Sequence, residues 1–246
     1  MSWLKRLLGS KDDTDTQPNN APNIIAEDDP RVTEGQDLVQ AHWESVGKVD
    51  DDVVTYLVNP MFQGAPAWPN TRQAYRVIRT PGSLIIASDG LSDPFVGTDR
   101  DGESGFGMEV FIEIDGAQDR SFDEISSSPE FKLIECVAQN MAGHGGVAPL
   151  IDQMGVLSMA VPVSEMPGDG WLDQNGQVGV LIGLAAEGRS ARLDLPFGPV
   201  RILAVTPLRP AETAIVVTGT EARNDIADRL MDSPSRHRFD PVRPAV

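Results

Sequence analysis

A chain of 246 residues that is 40% hydrophobic and carries a formal charge of −17 has enough apolar content for a sizeable core, since a domain of roughly 200 residues hides about 70% of its unfolded surface. The acid excess, with a sequence pI near 4.4, argues against a general nucleic-acid binder, which needs clustered positive charge to neutralise phosphates. A single cysteine, Cys136, excludes an internal disulfide framework and a multi-cysteine zinc site.

Residues 1–9 place Trp3, Leu4, Leu7 and Leu8 at helical spacing beside Lys5 and Arg6. This short amphipathic segment is suited at most to weak peripheral contact with an anionic membrane surface. It has neither the uninterrupted apolar stretch nor the small-residue cleavage site of a signal peptide. No run approaches the ~18 apolar residues of a membrane span, so a cytoplasmic location is expected. Residues 10–35 are rich in Asp, Asn and Pro and read as a disordered acidic and polar linker that cannot offset its ordering entropy.

From Gln36 the pattern becomes regular. Leu38, Val39, His42, Trp43 and Val46 share one helical face. Strand-like runs follow at 53–58, 75–79 and 84–88, separated by the Pro- and Gly-rich stretch 59–70 and by Pro81-Gly82. In 108–114, apolar Met108, Val110, Ile112 and Ile114 alternate with Glu109 and Glu113, which predicts a strand with one face in solvent. A helix over 129–142 is marked by Phe131, Ile134, Val137, Ala138 and Met141, with Gly143 at its end. Strands are expected again at 156–163, 178–184 and 200–206. Asn175-Gly176 marks a tight turn. Helices are expected near 210–217 and 221–231, and residues 233–246 read as a Pro- and Arg-rich tail. Without strict strand–helix alternation, residues 36–232 are expected to form one α+β domain, a mixed or antiparallel sheet flanked by helices.

Catalytic motifs are not legible. His42 falls on an apolar helix face and His237 in a basic, solvated tail. His144 follows Cys136 by eight residues, yet Cys136 sits mid-helix beside Glu135, a setting that disfavours the thiolate a Cys–His nucleophile needs. Neither a G-x-S-x-G elbow nor a phosphate loop is present. Asp99, Asp101 and Glu103 lack the glycine and glutamate of a calcium loop, holding Ser104 and Val110 instead. No catalytic residue, metal site or cofactor is assigned. Charge is the more informative feature: between Leu84 and Phe131 lie Asp89, Asp93, Asp99, Asp101, Glu103, Glu109, Glu113, Asp115, Asp119, Asp123, Glu124 and Glu130, opposed by Arg100 and Arg120 alone. Such a field would steer a basic protein towards this region.

Three segments carry a resemblance. Ser88-Asp89-Gly90-Leu91-Ser92-Asp93-Pro94-Phe95 is followed by Ser104-Gly105-Phe106-Gly107-Met108-Glu109-Val110. Further on come Leu195-Pro196-Phe197-Gly198-Pro199-Val200-Arg201-Ile202-Leu203-Ala204-Val205-Thr206 and Pro210-Ala211-Glu212. In order and spacing, over roughly 36–231, they resemble the suppressor of fused family. The lead-in Leu84-Ile85-Ile86-Ala87 departs from the aromatic and histidine-rich version of that family. The resemblance covers one domain, so nothing that depends on the second domain of the animal proteins is carried over.

The resemblance implies a non-enzymatic protein-binding module, of which bacterial single-domain members act as immunity proteins that neutralise toxins. An acidic domain without a legible active site suits stoichiometric occlusion of a basic toxin. Trp68, Asp93, Phe95, Glu109 and Glu113 are the candidate partner contacts; the oligomeric state is left open. Two alternatives stand beside this reading: a small-molecule hydrolase or ligand-binding enzyme using His144 and nearby acids, and a membrane-tethered adaptor anchored through Trp3–Leu8.

Overall fold

A computed structural model describes residues 24–98 and 103–246; the amphipathic 1–9 segment and most of the expected linker lie outside them. Helix α1 spans Pro30–Val46. It starts ahead of the expected Gln36 because Asp29 caps it, accepting from the Arg31 amide at 3.0 Å, with Pro30 preset for the first turn. Ile25, read as linker, is buried. Strand β1 follows at Lys48–Thr55. It takes in the acidic run Asp50–Asp52, which sequence patterning leaves out, because a bulge between Val49 and Val53 absorbs the irregularity and Arg79 clamps Asp50 at 2.7 Å.

After a 3₁₀ turn at Pro60–Gln63 come β2 (Ala74–Arg79), β3 (Ser83–Asp89) and β4 (Met108–Asp115). Helices α2 (Phe122–Ser126), α3 (Pro129–Gly143) and α4 (Ala148–Met154) precede β5 (Leu157–Pro162) and β6 (Gln177–Leu184). The chain continues through β7 (Arg192–Leu195), β8 (Gly198–Leu208), α5 (Pro210–Val216) and α6 (Thr220–Asp232). The strands form one sheet in the order β1-β2-β3-β4-β8-β6-β5, with β7 also on β8. All neighbours are antiparallel except β4 and β8. The fold is therefore α+β with a mixed sheet, as the patterning indicates. The short α2, α4 and β7 are elements the sequence reading does not contain.

Both faces of the sheet are covered. Val77, Leu84, Ile86, Val110 and Ile112 pack against Phe131, Ile134, Val137 and Met141 of α3. On the other face Ile78, Ile85, Phe111 and Ile202 meet Val39 and Trp43 of α1, Trp43 lying edge-on to Phe111 at 5.6 Å. Each such side chain, fully buried, stabilises by ~1.5–3 kcal/mol. The α5–α6 pair makes a third cluster on Leu181, Leu184 and Leu208.

This double layer overturns the expectation for β4. Its residues Met108–Ile114 are all buried, Glu109 and Glu113 included. They stand on the Phe111 face, and that face is roofed instead of open to solvent.

The segment 233–246 is no loose tail either. Phe239 is buried and bridges in parallel to Ile114, its N–H donating to the Glu113 carbonyl at 2.7 Å and its carbonyl accepting from Asp115 at 3.0 Å. Its ring meets Trp171 at 4.9 Å. Arg243 is buried on the Glu212 carboxylate at 2.6 Å. Aromatic packing and a satisfied ion pair thus convert a polar-looking terminus into part of the core.

Candidate functional site

The β3–β4 connection and the neighbouring strands hold most of the residues that the sequence singles out. At the end of β3 the chain turns through Gly90 at φ 134°, where a Cβ would lie 2.3 Å from the Arg72 carbonyl. Only glycine fits there. Glu109 locks the turn: its carboxylate accepts from the Ser88 hydroxyl, from the Gly90 amide at 3.1 Å, and from the Ser92 amide and hydroxyl at 2.9 and 2.6 Å. Burial, with a contribution from nearby Asp89, pushes this carboxyl above the usual range. Alongside it, Arg72 pairs with Asp89 at 2.6 Å and with Asp93 at 2.7 Å, and Arg76 reaches Asp89 at 2.9 Å.

Further along β4, Glu113 accepts from Ser83 at 2.5 Å, Arg189 at 2.9 Å and His237 at 2.9 Å. Burial works to raise its pKa, but these hydrogen bonds and the Arg189 charge outweigh it and bring the group down to about 2. His237, expected in solvent, is buried in this cluster.

Of the five candidate contacts, Trp68, Asp93, Glu109 and Glu113 are therefore buried. Phe95 is half-buried and edge-on to Phe106 at 5.4 Å. Their polar groups serve the turn and the sheet, with the indole N–H of Trp68 the exception, having no acceptor. The acidic stretch changes meaning too. Asp89, Asp93, Glu109, Glu113 and Glu130 are interior: Arg72, Arg76, Arg120, Arg189 and His237 pair with all but Glu109, which is held by Ser88, Gly90 and Ser92. Asp99 and Asp101 lie outside the described residues. Exposed acid is instead dense on α1, its lead-in and β1, where Glu27, Asp28, Glu34, Asp37, Glu44, Asp51 and Asp52 face solvent with only Arg31 and Lys48 among them.

The histidine alternatives find little support. His144 is exposed and its Nδ1 lies 2.7 Å from the Asn140 carbonyl oxygen of its own helix. Cys136 is half-buried, and burial together with Glu135 pushes its thiol up. His42 is buried against Trp43 at 4.7 Å; burial, aided by Arg189, lowers its pKa. Among the described residues no group of three His, Cys, Asp or Glu is placed to hold a metal ion. No helix among them is long and apolar enough to cross a membrane.

The surface has one feature that sequence reading missed. Leu57 is fully exposed, and Val58 and Phe62 are exposed with it, on the connection from β1 to β2. Beside them runs an open groove of about 520 Å³ lined by Glu27, Val32, Met61, Trp68, Pro69, Asn70, Thr71 and Val96. The signal was present in the letters: Leu57 and Val58 belong to the run expected as a strand over 53–58, which ends at Thr55 instead, and Met61 and Phe62 to the Pro- and Gly-rich stretch 59–70.

No protein-family profile matches the sequence, and no curated protein matches it significantly. Among solved structures the chain is similar to one described as the Sufu–Fu complex, at 14% identity and a TM-score of 0.50, over 85% of this chain and 88% of that one. This chain has a Suppressor of Fused-like fold. Drosophila Suppressor of Fused is also similar, at 14% identity and a TM-score of 0.47, over 83% of this chain and 47% of that chain; this chain thus spans about half of that one. In the Suppressor of Fused-like fold seen here, the three motif segments meet at one joint. The Phe106 amide donates to the Leu91 carbonyl at 2.8 Å, the Ser104 hydroxyl to Gly198 at 2.9 Å, and the Arg201 amide to Gly107 at 2.8 Å where β4 and β8 run parallel. The motifs mark the centre of the sheet, and their residues hold it together.

Proposed function

We propose that this chain is a non-enzymatic protein-binding module that holds a basic partner by stoichiometric occlusion, in the manner of an immunity protein neutralising a toxin. The observation that carries the reading is the fold, shared over most of its length with a chain solved in a protein–protein complex. Fold by itself leaves the partner open, so its chemistry is argued from charge. The exposed acids of α1 and β1, on a molecule of net charge −17, favour encounter with positive surfaces and disfavour negative ones. A few apolar anchors would then slow dissociation.

The test is affinity capture from the source cell with the tagged chain at low and high salt, followed by mass spectrometry and a stoichiometry measurement on the reconstituted pair. The expected result is one basic protein retained near one to one, with association slowed by salt. Retention of no protein at either salt would sink the reading.

A further inference from the structure

Resting on the protein-binding reading above, the geometry points to the docking surface: we propose that the groove beside Trp68, with the Leu57–Phe62 ridge, receives a basic segment of the partner that inserts a large apolar side chain.

Exposed apolar side chains on a flexible loop would cost ordering entropy on binding, but this ridge is held in advance. Asn59 caps the 3₁₀ turn, its side-chain oxygen accepting from the Met61 amide at 3.0 Å while its amide donates to the Thr71 carbonyl at 2.8 Å. Gly64 closes the turn in the left-handed region, its N–H bonded to the Pro60 and Met61 carbonyls. Phe62 is left 75% exposed and Leu57 entirely so, although neither contributes to a core cluster. Preorganisation of this kind lets burial appear as affinity, and aromatic anchors beside a groove are the usual centres of binding energy.

Trp68, which lines the groove, is 96% buried by its 4% exposure and stands edge-on to Tyr75 at 5.9 Å, so the groove is backed by a fixed side chain. Charge decides the rest of the occupant. Glu27 lines the groove, and Asp51 and Asp52 stand exposed on β1 just ahead of Leu57. Like charge disfavours a second copy of this acidic chain.

The probe is a short fluorescein-labelled peptide alternating lysine and leucine, read by fluorescence anisotropy against the full chain. A lysine–serine peptide controls for charge. Expected are saturable binding that weakens with salt, binding of the lysine–serine peptide about tenfold weaker, and a loss of about tenfold in the Leu57→Ser, Phe62→Ser variant, whose changes are on exposed side chains and leave the charge as it was. Equal binding of the two peptides, or no effect of the double variant, overturns the proposal. So does tighter binding by a Leu7→Ser, Leu8→Ser chain, which would make the chain's own N-terminal segment the occupant. A dimer broken by the double variant would assign the surface to a second copy and overturn it as well. Partner capture separates the two levels. A partner retained equally by wild type and double variant leaves the protein-binding reading standing and rejects this surface, whereas no retention by either rejects both.

Discussion

Glu113 accepts hydrogen bonds from Ser83, Arg189 and His237 in the interior, and this environment brings its carboxyl from 4.5 down to about 2. A carboxyl with a depressed folded-state pKa contributes stability that is fully present above the unfolded value and is lost as pH falls through the folded one. The window therefore runs from about pH 4.5 to about pH 2, and the contribution is on the order of 3 kcal/mol. Urea unfolding at stepped pH is expected to show stability declining across that window, with a shallower decline in Glu113→Gln. Identical slopes would show that Glu113 does not couple to folding. Gly105 is an equally local constraint: at φ 53°, a Cβ would stand 2.3 Å from the Asp93 carbonyl and 2.5 Å from that of Leu91. Gly105→Ala is expected to destabilise by about 2 kcal/mol or more in the same assay, and a neutral result would mean that the β3–β4 joint yields freely. At this scale the sequence was legible in type and misleading in role. Glu109 and Glu113 stand out as charges in an apolar strand, but their buried partners come from residues up to 124 positions away, which no local pattern announces.

Among the elements, α3, β3 and β4 could be read closely from spacing, because each buries a long, regular apolar face. The 233–246 segment could not. Its Pro and Arg letters look like solvent, while its place in the fold depends on a gap beside β4 that exists only after the sheet has formed. Phe239 occupies that gap against Trp171, Arg209 lies over the same indole at 3.8 Å, and Trp171 donates to the Pro241 carbonyl at 3.1 Å. Phe239→Ala is expected to cost about 3–5 kcal/mol of stability, the usual range for emptying a buried aromatic site. Limited proteolysis should then cut within 233–246 before any other described segment. Unchanged stability would mean that the segment is held by its ion pairs alone.

Across the whole molecule the charge of −17 both advertises for a basic partner and works against the compact state through self-repulsion. Raising NaCl from about 20 mM to about 500 mM, which shrinks the screening length to a few ångström, is expected to raise Tm while weakening partner binding. A Tm that falls would show that internal ion pairs such as Arg72–Asp93 outweigh surface repulsion. What the sequence by itself determined was the class of the fold, the main sheet-forming runs and the three motif segments, because alternation, helical spacing and turn residues are local properties. Only the tertiary structure decided which acids are interior and which are surface, that the C-terminal segment belongs to the core, and that an apolar ridge and groove face solvent at 57–71. Burial and ion pairing depend on what the rest of the chain brings to a residue, and that is a property of the assembled sheet.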